Sequence, residues 1–286
     1  MPSFMPSFMP SSTRFLRPLV IHTLLIAVCL TMILPFLVVL TASLKAPVLG
    51  DEMSPARPDF IPGRWQWQNY LLGWRAGRLG TAFANSIMVS IVWTVGTVLV
   101  SSMAAYAIGR RKVPGHRWIL LFFLSSMMFA GQAVIIPQFI LYRALGLYDS
   151  LAIFMIPGAG AFTIYLLCHW FDNVPKEIEE AAFIDGCSEW STFIRVILPL
   201  SLPAVATVSL FAFMGAWNNF VGPYVFIESE SRLTIPLAIQ SYMVTSPTDE
   251  AGRAAAVMMS VLPVLAVFVL LQRWFLRGLS LGALKQ

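Results

Sequence analysis

An all-α membrane protein with six transmembrane helices and both termini in the cytoplasm is the fold class the sequence predicts, on three observations. Hydrophobic residues make up 58% of the chain and charged residues only 12%, where soluble domains run near about 45–50% and about 25%. Six stretches hold no Asp, Glu, Lys or Arg: residues 18–43, 82–109, 118–142, 150–171, 200–227 and 254–272. Each suffices for the roughly 20 helical residues that cross a hydrocarbon core. Placing both termini inside puts 11 of the 19 Lys and Arg on the cytoplasmic side and 8 outside, the direction of the positive-inside rule.

Residues 1–17 form a cytoplasmic tail in which Met1-Pro2-Ser3-Phe4 recurs as Met5-Pro6-Ser7-Phe8. The repeat suits a disordered tail or a start placed too early, and carries no function. The first uncharged stretch follows Arg14 and Arg17 as a signal peptide would, with Thr41-Ala42-Ser43 as a poor cleavage site. Its apolar part exceeds the about 7–15 residues of a signal-peptide core, which makes it a retained helix. Residues 44–81 are external: Pro47, Pro55, Pro58 and Pro62 exclude a long helix at the start, while Trp65, Trp67, Tyr70 and Trp74 suit the membrane interface. After the second span, Arg110, Arg111, Lys112 and Arg117 crowd a short loop, where the orientation rule is most reliable. Residues 143–149 are a short outer turn between the third and fourth spans. The external segment 228–253 is polar, and its uncharged part, 233–248, is too short and polar for a seventh span. One six-helix domain, 18–277, and a cytoplasmic tail, 278–286, complete the chain. Pro35, Pro137, Pro157, Pro203, Pro223 and Pro263 lie inside spans, where neighbouring hydroxyls or water can satisfy the freed carbonyls. They read as kinks or as ordinary membrane proline usage.

The loop 172–199 breaks the pattern, with six of the 14 acidic residues between two uncharged spans. Pro175 suits a first helical position and the following acids suit the helix dipole. A helix from about Pro175 to Asp185 is stopped by Gly186, which can adopt a left-handed cap. A second short helix leads through Phe193, Ile194 and Ile197 to Pro199. In the first helix Ile178, Ala181, Ala182 and Asp185 share one face and Glu177, Glu180 and Ile184 its neighbour. The paired alanines leave a shallow surface for a partner's backbone, with Glu180 beside it as a charge for a partner's Arg or Lys. On spacing alone, a solvated amphipathic loop explains the pattern equally well.

Glu180-Ala181-Ala182, Gly186 after three residues, and Val196-Ile197-Leu198-Pro199 after nine more resemble the E-A-A loop of ABC-importer permeases, with Val196 where that family usually has Ile. The resemblance covers most of the chain and narrows to the maltose-type (MalG-like) carbohydrate permeases. It also rests on Asn69-Tyr70, Asn85-Ser86, Ala104-Ala105-Tyr106-Ala107 before Arg110-Arg111-Lys112, Gly146-Leu147, Trp217-Asn218, and Arg277 to Lys285. It implies the type I importer permease fold in a bacterial cytoplasmic (inner) membrane. It implies as partners an ABC ATPase subunit dimer, a second, homologous permease and an extracytoplasmic solute-binding protein. Glu180, Ala181, Ala182, Asp185, Gly186, Leu198 and Pro199 would couple the chain to the ATPase, and the C-terminal tail would lie near the same dimer.

No GxxxxGK[ST] occurs, so the chain has no P-loop for ATP; no cofactor is expected here, with ATP bound and hydrolysed by a partner subunit. Cys29, Cys168 and Cys187 show no disulfide or metal spacing, and His22, His116 and His169 are scattered, so neither catalytic residues nor a metal is expected. The basic balance follows from topology, without nucleic acid. Buried polar and aromatic residues nominate a solute path of Gln132, Gln138, Trp217, Asn218, Asn219 and Tyr224; helix–helix hydrogen bonding and interface anchoring account for the same residues. A sugar or oligosaccharide is the expected cargo, with a polyol or glycerol phosphate as the rival. An ion-driven secondary transporter would need charged residues within the spans, which this chain lacks, and a scaffold without transport is the remaining class.

Overall fold

The structure, a computed structural model, describes residues 12–45, 65–129 and 131–283, with side chains between 20 and 274. The Met-Pro-Ser-Phe repeat, Pro47 to Pro62 and Lys285 lie outside the described residues. Among the described residues the chain is helical, without strands. In order come α1 (Ser12–Ser43), the short α2 (Gln68–Ala76) and α3 (Leu79–Ala105), which continues as a π-helical turn (Tyr106–Arg110). α4 (His116–Ser126) and α5 (Ile135–Ala144) follow, then α6 (Ala161–Asp172), and the charged loop supplies α7 (Lys176–Ile184), α8 (Glu189–Thr192) and α9 (Leu198–Leu200). The chain closes with α10 (Leu202–Trp217), α11 (Val221–Phe226), α12 (Ile235–Thr245) and α13 (Glu250–Ala283).

Among the described residues, four segments are long and apolar enough to cross a membrane: Val20–Ser43, Leu79–Arg110, Leu202–Phe226 and Glu250–Trp274. The expected third span, 118–142, is instead two pieces, His116–Ser126 and Gly131–Ala144, bent by 89°. α4 stops where the Ser125 and Ser126 hydroxyls turn back onto the Phe122 and Phe123 carbonyls, a bond that competes with helix continuation. The expected fourth span, 150–171, is also broken. A 3₁₀ turn at Leu151–Phe154 gives way to non-helical chain before the 12-residue α6, whose length of about 18 Å falls short of the roughly 30 Å hydrocarbon core. Pro157 lies in this break, against Gly96 of α3, where an added Cβ would stand 2.6 Å from the Pro157 Cβ. The break thus lets a proline ring nest on α3 where no side chain intervenes.

The last span runs beyond 254–272 at both ends. Asp249 caps it, its Oδ1 accepting from the Gly252 N–H at 2.8 Å, and the helix passes through Pro263 and continues to Ala283. The tail expected from 278 therefore begins as helix.

Two cores sit at opposite ends of α3, about 40 Å of helix apart. One gathers Ala105, Tyr106, Leu167, Phe171, Phe193 and Ile197; the other gathers Leu79, Ala82, Phe213, Trp217, Ile235 and Tyr242. Near the second core, polar clips tie the end of α1 and the segment leading into α12 to the bundle. Asn69 donates to the Ser43 and Lys45 carbonyls at 2.9 and 2.8 Å, and Tyr70 meets the Ser43 hydroxyl. Asn85 donates to the Ser231 and Leu233 carbonyls, both at 3.0 Å, while the Ser86 hydroxyl accepts from the Ile235 N–H at 2.8 Å.

Candidate functional site

The charged loop folds back as a helical unit. Pro175 is the N-cap rather than the first helical residue, with α7 starting at Lys176. At the other end Gly186 takes a left-handed conformation, φ 82°. The Gly186 N–H donates to the Phe183 carbonyl at 3.0 Å and the Cys187 N–H to the Ala182 carbonyl at 2.9 Å, the paired bonds of a Schellman cap. Ser188 then caps α8 by accepting from the Ser191 N–H at 3.3 Å. A π-helical turn, Phe193–Ile197, carries the chain through α9 into α10.

Of the predicted coupling residues, Glu180, Ala181, Asp185, Gly186 and Pro199 are exposed, Leu198 is half-buried and Ala182 is buried. The two alanines therefore do not form one shallow surface, because Ala182 packs into the chain's own interior. Ile184 and Trp190 stand out from the same loop, 86% and 60% exposed.

The residue that sequence reasoning passed over is Glu179, which is buried. Its carboxylate accepts from Arg110 Nε at 2.6 Å and from the Tyr106 hydroxyl at 2.9 Å, with an Arg111 guanidinium nitrogen at 3.7 Å. Arg110 also donates to the carbonyls of Phe171, Val174 and Pro175 at 3.3, 2.7 and 3.2 Å, serving the C-terminal end of α6, where a cation is favoured. Arg111 pairs with Glu189 at 2.9 Å and lies over the Phe183 ring. Glu179 shares the three-residue spacing of buried Ala182, the one sequence signal that pointed inward. Periodicity defines a face without saying what it meets.

A second feature is a cavity of about 580 Å³ beside the middle of α3. Gln132, Gln138 and Asn219 line it with Thr97, Thr163 and Thr234, and Trp93, Tyr142 and Phe162 supply aromatic faces. Three of the six nominated path residues thus come together. The other three do not line the cavity: Trp217 is buried in the far core, its Nε1 donating to the Ser260 carbonyl at 3.1 Å, while Asn218 and Tyr224 are exposed, the Tyr224 ring lying 5.4 Å from that of Phe220.

Residues 69–281 match the family described as binding-protein-dependent transport system inner membrane component. The chain is 32% identical over 228 residues to the probable ABC transporter permease protein YurM of Bacillus subtilis, covering 79% of this chain and 76% of that one. It is 30% identical over 269 residues to the diacetylchitobiose uptake system permease protein NgcG of Streptomyces coelicolor, covering 92% and 88%. A chain in the crystal structure of a bacterial ABC transporter involved in the import of the acidic polysaccharide alginate superposes with a TM-score of 0.76 at 25% identity, covering 95% of this chain and all of that one. Apolar crossing helices, a capped helical loop and a match over most of its length agree: the chain belongs to the family of binding-protein-dependent transport system inner membrane components, and is a multi-pass inner-membrane permease of an ABC importer rather than an enzyme.

Proposed function

We propose that this chain is one of two homologous permease subunits that pass a neutral carbohydrate, handed over by an extracytoplasmic solute-binding protein, across the membrane under the drive of an ATPase dimer docked on α7. The observation that carries this reading is the outward face of the loop, where Glu180 and Ala181 are exposed and Ile184 and Trp190 add uncovered apolar surface. Apolar groups exposed together in a segment too charged for the bilayer mark a protein contact. Both termini are cytoplasmic, α4 with α5 forms a bent third crossing, and residues 151–172 form a broken fourth, giving six. ATP is bound and hydrolysed by the partner dimer, and this chain needs no cofactor. The cavity beside α3 is the path, with Gln132, Gln138 and Asn219 as its polar contacts.

Among the described residues, no Asp, Glu, Lys or Arg lines that cavity. A sugar offers hydroxyls to amides and C–H faces to aromatic rings, and the lining supplies both. A phosphorylated glycerol would leave its charge unpaired at membrane depth, so a neutral sugar is the better fit. The diacetylchitobiose of the Streptomyces relative is likewise an uncharged carbohydrate, whereas the alginate of the structural neighbour is an acidic polysaccharide and supports the carbohydrate class alone. The test is reconstitution of the four-component transporter in liposomes with Glu180→Lys or Gly186→Pro. Both variants insert and assemble with the second permease, yet separate ATP hydrolysis from uptake; normal uptake in both refutes the docking assignment.

A further inference from the structure

Glu179 takes no part in the docking surface assigned to α7, and the groups it meets, Tyr106, Arg110 and Arg111, lie on or next to the π-helical turn that continues α3. We infer that Glu179, through Arg110 and Tyr106, is the latch that fastens the docking helix to α3, so that a push on α7 moves α3 and with it the cavity wall. The inference rests on the reading of α7 as the ATPase-docking helix and adds the route by which its motion reaches the path.

The geometry is that of a clamp. Tyr106 and Arg110 hold both carboxylate oxygens of Glu179, and Arg110 at the same time binds Val174 and Pro175, the residues that join α6 to α7. Arg111 reaches on to Glu189 at the start of α8. The π-helical turn makes this reach possible: the Arg111 N–H bonds the Tyr106 carbonyl at 3.0 Å, five residues back, and two successive arginines face the loop. The Arg110 and Glu179 side chains are 3% and 9% exposed. An ion pair at the surface exchanges with water and holds little, whereas separating this one strands an uncompensated buried charge. The clamp therefore keeps its length under load.

At its far side the clamp connects to the path through α3 itself. Val89, Trp93 and Thr97 of α3 line the cavity. Two glycines hold α3 close to its neighbours: an added Cβ on Gly109 would stand 3.0 Å from the Cys168 Cα, and one on Gly96 2.6 Å from the Pro157 Cβ. A displacement entering at Arg110 thus reaches the cavity through close-packed backbone.

The test uses the whole transporter in liposomes, with its second permease, ATPase subunits and binding protein, and compares Glu179→Gln, Tyr106→Phe and Glu180→Lys. The readouts are retention of the ATPase on purification, ATP hydrolysis, and solute taken up per ATP hydrolysed. With the latch loosened, Glu179→Gln keeps the ATPase bound and active while uptake per ATP falls about tenfold, the scale of one lost charge-assisted hydrogen bond. Tyr106→Phe, which leaves both charges in place, lowers the ratio a few-fold, and the double variant is no worse than Glu179→Gln alone because both act on one network. A purely structural role lowers uptake and hydrolysis together, in step with the amount of assembled complex, and that result overturns the latch. So does an unchanged ratio in Tyr106→Phe, which decides the matter if Glu179→Gln fails to assemble. Glu180→Lys separates the two readings: a normal Glu180→Lys beside an uncoupled Glu179→Gln refutes the docking face, and the reverse pattern refutes the latch alone.

Discussion

The turn between α5 and the 3₁₀ turn at Leu151–Phe154 offers a sharp energetic test at Asp149. Its backbone is left-handed, φ 55°, a conformation that Asp and Asn tolerate better than other non-glycine residues. Its carboxylate accepts from the Glu228 and Ser229 N–H groups at 2.9 and 3.0 Å, from the Ser229 hydroxyl, and from Arg232 at 3.2 Å. The turn is thereby stitched to the segment leading into α12. Asp149→Asn keeps an oxygen for the two amides and the left-handed tolerance but loses the charge, a cost of about 1 kcal/mol. Asp149→Ala loses every acceptor and adds about 1–2 kcal/mol of left-handed strain. With the clip partly open to water, the total is about 3 kcal/mol.

The Ser229 hydroxyl first, then the backbone amides and Arg232, hold the Asp149 carboxyl below the usual carboxylate range. A depressed folded value means that the contribution is fully present above the unfolded pKa of about 3.9 and is lost as pH falls from there through the folded value. Between pH 7 and pH 5 this group changes nothing. The assay is the thermal midpoint of the detergent-solubilised transporter against pH. The expected order is wild type, Asn, Ala at neutral pH, with the Asp149 share of the acid limb missing in Asp149→Asn. An Asn variant as unstable as Ala, or an unchanged acid limb, refutes the reasoning.

Gly73→Ala at the crossing of α2 and α13 puts a Cβ 2.6 Å from the Gly252 carbonyl oxygen; backbone meets backbone there, so the same melting assay shows a loss of about 1–3 kcal/mol. Gly215→Ala meets nothing within 4 Å, and removing a glycine from the last turn of α10 gains about 0.5 kcal/mol. Trp217→Phe loses the bond to Ser260 and lowers the melting midpoint while transporters that fold retain uptake. Asn219→Ala gives up only the long 3.4 Å bond from the Gly222 N–H, so the midpoint falls less than in Trp217→Phe while solute uptake in liposomes drops; the opposite assignment of the two effects refutes the path as drawn.

Charge placement made the bilayer, the loop and the helix stop at Gly186 legible, because water and lipid sort charged residues strongly and φ 82° favours one residue type. The family-like pairs prove to be clips: Asn69, Ser86 and Tyr106 each satisfy a group of a distant segment. The breaks in the expected third and fourth spans were only partly legible: Pro157 reads as a kink, but nothing in the sequence marks the loss of helix around it or the stop at Ser126. Inside a bilayer, lipid-facing and protein-facing residues are equally apolar, and hydropathy cannot tell a straight helix from one that stops to let Pro157 nest on Gly96. For the same reason Trp217 and Asn219, two residues apart and both plausible path residues, end in different places. Where an uncharged side chain points depends on helix packing, which composition does not record.

Among the described residues, Arg110–Glu179 is the ion pair whose two side chains are both nearly withdrawn from water. Burying two charges is costly, and an apolar pair of equal volume would hold α7 to α3 about as stably. Stability alone therefore does not explain the choice of residues; direction does. Apolar contact has no preferred angle and lets packed helices slide, whereas a guanidinium held by a carboxylate and three carbonyls is constrained in position and rotation together. On the coupling proposed above, a loop that carries a push without slipping would need that constraint at the turn where it meets the span, and the π-helical continuation of α3 meets the loop there.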